Sequence, residues 1–211
     1  MGRPSKYKHG YPSVTQIVDL LDKPGLRYWY GKYGTAACEE KKRTSQNVGH
    51  GVHKGIEWFL RGASFEEASE QLDNEQRIML SYLTEWCSKM QPKVILMEEP
   101  LYSHKFQFAG TPDLVCTLDK GKTLTLVDWK TDSVPRNSSE DRERRIKYLY
   151  QTAAYSIAYR EMFKVSIKKS CIVRASKDLQ FAEYWFEKKD LRHGENRFKQ
   201  LREIYKDVKG K

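Results

Sequence analysis

Long hydrophobic runs are missing from this chain. The longest uninterrupted apolar stretch is Val94-Ile95-Leu96-Met97, against the roughly 20 residues a helix needs to cross a bilayer, so a membrane span is excluded. Cysteine is scarce: Cys38, Cys87, Cys116 and Cys171 form no CxxC pair, which excludes the usual zinc frameworks and leaves reduced, intracellular thiols as the expectation. The opening Met1–Gly10 is basic and free of acids but has no apolar centre, so no secretory signal is expected there, and organelle import stays open. No G-x-x-x-x-G-K-[ST] string occurs, so no nucleotide-driven motor is expected in it. Internal repeats and low-complexity tracts are also missing.

What is there is a globular composition with a basic surplus. Hydrophobic residues make up 39% and charged residues 31% of 211 positions, enough for one compact domain and short for two. Lys+Arg 38 against Asp+Glu 28 leaves +10, a balance that suits a polyanionic partner, nucleic acid or an acidic membrane surface.

Periodicity and punctuation predict the elements. Residues 1–12 read as a tail broken by Pro4, Gly10 and Pro12. Ser13 opens a short helix whose apolar side is Ile17, Val18, Leu20 and Leu21, closed by Pro24-Gly25. A second helix is expected from about Gln46 to Arg61, with Val48, Val52, Ile56, Phe59 and Leu60 at helical spacing. A third runs from about Ser64 to Met90 and starts at the capping box Ser64/Glu67. Strands follow at Val94–Tyr102, Lys105–Leu118 and Thr123–Lys130, the last two joined as a hairpin by Asp119-Lys120-Gly121-Lys122. After a polar segment, 131–141, come a helix from about Glu143 to Phe163, strands near Ile167–Ala175 and Leu179–Phe186, and a basic amphipathic helix from about Lys188 to Val208. That order indicates an α/β fold, a mixed sheet flanked by helices, with a helical part over 13–90 and a core over 94–186 of one domain spanning 13–208.

The chemistry gathers on the hairpin. Gly110-Thr111-Pro112-Asp113 precedes one strand's core and Asp128-Trp129-Lys130-Thr131 ends the other. Side chains alternate along a strand, so Asp128 and Lys130 share a face, and the hairpin brings Asp113 beside them. Two carboxylates and an ammonium suit a Mg²⁺ site next to a phosphate. The string by itself says little, since Asp207-Val208-Lys209 repeats it in a helix; its position on adjacent strands carries the weight.

With these residues the chain resembles the PD-(D/E)XK nuclease superfamily, and within it the RecB-like exonucleases, over about Pro12 to Phe186. The resemblance rests on Ser13-Val14-Thr15, on Gly49-His50-Gly51-Val52-His53 as the family's G-x-x-x-H helix, on Pro112-Asp113 with Asp128-Trp129-Lys130, and on Gln151-Thr152-Ala153-Ala154-Tyr155 as its Q-x-x-x-Y motif. It implies a restriction-endonuclease-like core and a Mg²⁺ or Mn²⁺ held by His53, Asp113, Asp128 and the Trp129 carbonyl. Lys130 would act on the attacking water and the phosphate, and Gln151 and Tyr155 would hold the DNA strand. The iron–sulfur cluster of the CRISPR-associated branch is not expected, because Cys171 is the only cysteine after Cys116.

Plainer readings stand beside these. His53 shares a helix side with Ile56 and Leu60, as a core histidine would; His50 reads as a surface residue. Gln151 and Tyr155, one turn apart, equally form a hydrogen-bonded prop between helix and sheet. Lys130 could be an ion-pair partner for Asp128 or Glu99, and Glu98 or Glu99 could reach the site through water. The Tyr28–Tyr33 stretch offers rings for unpaired bases or for packing. Arg142, Arg144, Arg145 and Lys147 could track phosphates or face solvent, and so could the basic residues of the last helix, Arg202 among them.

The expected activity is a metal-dependent DNA nuclease, an exonuclease on single-stranded or frayed ends in replication, recombination or repair, with a helicase or recombination protein as a conceivable partner. The alternatives are a catalytically silent nucleic-acid-binding module with the same fold and a structure-specific endonuclease.

Overall fold

Ser13 starts the first helix by a reciprocal cap: its hydroxyl accepts from the Gln16 N–H and the Gln16 side chain accepts from the Ser13 N–H. In a computed structural model of the protein, which describes residues 7–21, 30–132, 135, 137–176, 178 and 180–210, this helix is α1, Val14–Val18. The expected stop at Pro24-Gly25 and the residues Tyr28 and Trp29 lie outside the described residues.

The second helix, α2, is longer than its apolar spacing predicts, Thr35–Leu60. Its first half buries only Cys38. Ala36, Ala37 and the Glu/Lys-rich stretch after them are good helix formers, and Arg43 pairs with Glu40 at 2.7 Å. The expected helix from Ser64 to Met90 is two. The Ser64/Glu67 box starts a short α3, Phe65–Ser69, and a second capping box, Asp73 with Gln76, starts α4, Asn74–Met90. An N-cap needs extended backbone, and Asp73 has it at φ −72°, ψ 173°, so one continuous helix is ruled out.

The first two expected strands are likewise divided. They form β1 (Lys93–Met97), β2 (Leu101–Ser103), β3 (Phe108–Gly110) and β4 (Leu114–Leu118). Glu98 at φ 53° breaks one run; Pro100 and Pro112, lacking an N–H, cannot continue a ladder. Then come β5 (Thr123–Lys130), α5 (Ser138–Phe163), β6 (Lys169–Ala175), β7 (Phe181–Phe186) and α6 (Lys188–Lys209). α5 begins earlier than its apolar pattern, where the Asn137 side chain accepts from the Glu140 N–H.

The sheet is five-stranded and mixed, in the order β1-β4-β5-β6-β7, with β2-β3 as a separate ribbon. β4 and β5 form the expected antiparallel hairpin, with Leu114 opposite Val127. β5 and β6 are parallel, so the chain crosses back through α5. Alternation along the strands builds two cores. Val115, Leu126 and Ile172 face α1, α5 and α6, while Leu114, Cys116, Val127, Trp129 and Val173 face α2, α3 and α4. This is the restriction-endonuclease-like arrangement expected from the sequence. No helix among the described residues is long and apolar enough to cross a membrane.

Two glycines position the site. A Cβ on Gly49 would meet Thr131 Oγ1 at 3.0 Å, so the missing side chain lets α2 lie against the end of β5. A Cβ on Gly110 would meet Tyr155 Cε1 at 2.4 Å, so the glycine before Pro112-Asp113 makes room for the tyrosine of α5.

Candidate active site

Past the last paired position of β4, Asp113 is level with Asp128 on β5. Its Oδ2 accepts from the Trp129 amide N–H at 2.7 Å, and its Oδ1 lies 3.5 Å from His53 Nδ1 on α2. The Glu98 N–H donates to the Asp113 carbonyl at 3.2 Å, which brings Glu98 to the same place. His53, Glu98 and Asp113 each offer a ligand atom, all within 4.8 Å of one another. They line a cleft of about 540 Å³ with Gln46, Gly49, His50, Lys54 and Glu57.

Asp128 stands beside this trio rather than within it. It is 1% exposed. Its Oδ1 accepts from Gln151 Nε2 at 3.0 Å, and Oδ2 lies against the Lys130 ammonium as an ion pair. Beyond that ammonium, Oδ2 is buried without a hydrogen bond. The same Gln151 amide donates to the Tyr155 hydroxyl at 3.2 Å, and Tyr155 is buried. The structure therefore places Gln151 and Tyr155 behind Asp128, in the propping arrangement. Of Trp129, the amide N–H reaches the site, while its indole packs edge-on to Trp86 at 5.5 Å.

Charge sets the proton positions. Burial raises the Asp128 carboxyl to about 6, Asp113 adding to the rise and Lys130 opposing it. Partial burial and then the Asp113 charge push Glu98 up to about 7. Burial acts upward on Asp113 too, but His53, Lys130 and the Trp129 N–H outweigh it and hold that carboxyl below the usual range. Burial opposes charge on His53 and Lys130, yet the neighbouring carboxylates win and raise both, so Lys130 stays an ammonium.

A second polar group lies past the end of β5. Asp132 Oδ2 accepts from the Tyr148 hydroxyl and lies 3.2 Å from Arg144 Nη1, while Oδ1 faces Arg174 Nε at 4.0 Å. Lys130 Nζ sits 5.6 Å from the centre of the Tyr148 ring. Arg144 also pairs with Glu140 at 2.7 Å, and Lys147 with Asp19 at 3.2 Å. Arg145 lies over the Tyr184 ring, 5.3 Å from its centre, so of the four basic residues expected to track phosphates or face solvent, three are engaged within the protein. Arg202 in α6 is buried and donates to the Gln107 carbonyl at 3.2 and 3.1 Å, so it belongs to the packing of α6.

Sequence reasoning left Glu98 at most a water-mediated role and passed over Asp132 and Tyr148. Glu98 is legible once β1 is paired antiparallel to β4, because the residue after Met97 then meets Asp113. Tyr148 stands one turn before the Q-x-x-x-Y pair, on the side of α5 that faces the sheet.

The class defined here is a mixed-sheet core whose central hairpin ends in two aspartates and a lysine. The chain belongs to the PD-(D/E)XK nuclease superfamily, whose profile matches residues 13–209. Among solved structures it is similar to the protein SSO0001, at 14% identity and TM-score 0.51 over 97% of this chain and 79% of that one. It is also similar to a candidate exonuclease of Eubacterium rectale, at 14% identity and TM-score 0.52 over 97% and 88%. The alkaline exonuclease of Laribacter hongkongensis aligns at 11% identity and TM-score 0.40, over 94% of this chain and 92% of that one. No curated protein matches the chain in sequence.

Proposed function

We propose that this nuclease-superfamily chain is a divalent-metal-dependent deoxyribonuclease that removes nucleotides from single-stranded or frayed DNA ends in replication, recombination or repair. The observation that carries the reading is the meeting of His53, Glu98 and Asp113 in one cleft, with Asp128 and Lys130 alongside. The donor set fits a cation of the Mg²⁺ or Mn²⁺ kind. It offers carboxylate oxygens and one imidazole, and the buried Asp128 Oδ2, which has only the Lys130 ammonium against it, is a further donor. Such a cation, when bound, makes water more acidic and offsets the charge of the scissile phosphate.

The protein's own groups do the rest. His53, Glu98 and Asp113 would hold the cation, with Asp128 and the Trp129 carbonyl completing the set. Gln151 fixes Asp128 by its amide, and Tyr155 fixes Gln151. Lys130, kept protonated by its carboxylate neighbours, places positive charge where the pentacovalent phosphate gathers negative charge. The order of the RecB-like motifs and the name of the Eubacterium rectale neighbour support end-directed cleavage.

The test is digestion of 5′- and 3′-labelled single- and double-stranded DNA with Mg²⁺, Mn²⁺ or EDTA, comparing wild type with Asp128→Asn. Metal-dependent ladders that vanish in the variant are the expected result. Binding with no cleavage in any metal would overturn it in favour of a silent binding module, and internal cuts in circular DNA would replace exonuclease by endonuclease.

A further inference from the structure

On the other side of α2 lies a second cavity, of about 310 Å³, which shares His50 and Lys54 with the cleft. Trp58 is on its wall, 45% exposed, and it is the one exposed tryptophan among the described residues. The Lys54 ammonium lies over the Trp58 ring, 5.6 Å from its centre, so a cation and a partly exposed aromatic ring are offered together. Leu72 adds an apolar surface, and Glu70 and Gln71 add hydrogen-bonding side chains.

We infer that this cavity is a subsite for one unpaired nucleobase of the strand whose phosphate lies in the cleft, which rests on the nuclease reading above. Four features point that way. A ring beside a cation is the pairing that single strands use, base on ring and phosphate on cation. His53 and Trp58 are five residues apart on α2, a rise of about 7.5 Å and a turn of about 140°, so a base held at Trp58 belongs to a nucleotide a few positions along the strand from the one being cut. The cavity is at the small end of ligand pockets, which run to roughly 300–1,000 Å³, room for a base and not for a duplex. Finally, the acidic Glu67 and Glu70 on its wall repel phosphate while they suit a neutral base with exocyclic amines. A paired base, stacked within a duplex, cannot enter, so the cavity would impose a preference for unpaired DNA.

The experiment is fluorescence anisotropy in EDTA with labelled single-stranded oligonucleotides, intact or carrying one abasic position in turn, for wild type, Trp58→Ala and Trp58→Phe. Trp58→Ala is expected to weaken binding about tenfold, in the range of one base stacked on an aromatic ring, with Trp58→Phe in between. One abasic position should cost wild type about as much, and cost Trp58→Ala nothing. Trp58 is exposed, so folding is checked simply by an unchanged melting curve. Unaltered binding by Trp58→Ala, or abasic losses that add to the variant's at every position, would overturn the inference. Expected anisotropies from a protein that cleaves nothing in any metal would sustain the base subsite and remove the nuclease reading, so the two failures are separate.

Discussion

Two clusters of charge flank Lys130, and they are balanced differently. On the cleft side, Glu98, Asp113 and Asp128 face one ammonium and one imidazole. On the far side, Asp132 faces two guanidiniums and a phenol hydroxyl. The first has more negative charge than its own residues offset; burial, with the Asp113 charge adding to it, raises two of its carboxyls to about 6 and about 7. The second is neutralised from within. A buried acid surplus is stable only if protons or cations enter, so the contrast sets a cluster with the charge balance of the proposed cation site against one whose charges are met by its own neighbours.

The contrast can be broken by substitution. Lys130→Ala and Asp113→Asn should each lower cleavage of end-labelled DNA by about 10³-fold or more while the far-side contacts persist, so circular dichroism should be unchanged. Glu98→Gln should weaken Mn²⁺ binding by roughly tenfold to a hundredfold, read by titration calorimetry. It should also raise the melting temperature without metal, because one of the crowded charges is gone. Asp132→Asn should do the reverse: metal affinity stays, and urea unfolding shows a loss of about 1–2 kcal/mol, modest because Asp132 is partly open to solvent. A melting temperature that rises in Asp132→Asn would remove the distinction between the clusters.

The smallest effect concerns protons. The Glu98 carboxyl is raised in the fold, so the folded protein binds more protons than the unfolded chain between about 4.5 and about 7. Stability of the metal-free protein from this group is greatest below that window and falls as pH rises through it. A cation needs the ionised form, so its binding at pH 6 should release protons and tighten toward pH 7.5. Calorimetry in two buffers of different ionisation heat measures the release; equal heats would show that Glu98 takes no part.

Much of this is legible in the sequence alone. The turn 119–122 pinned the hairpin register, and with it the approach of Asp113 to Asp128 and Lys130. The first half of α2 was not, because its helix forms by propensity with hardly an apolar residue to mark it. The breaks at Pro100 and Pro112 were hidden inside apolar runs, and missing the first of them left Glu98 in mid-strand, away from Asp113. The second capping box, Asp73 and Gln76, was written in the sequence but lay within an apolar pattern that ran across it. Gln151 and Tyr155 matched a motif, yet only packing shows that they face Asp128.

The parallel pairing of β5 with β6 has a consequence for how the protein comes to life. The hairpin that carries Asp113, Asp128 and Lys130 closes over a short stretch of chain, so it can form while the polypeptide is still being made. Gln151 and Tyr155 arrive with the crossover helix, and β6 must follow before that helix is clamped to the sheet. A ribosome-bound chain ending before β6 therefore carries the acids and their supports, but nothing yet clamps the crossover helix to the sheet. The candidate site is therefore completed late in synthesis, when β6 takes its place beside β5.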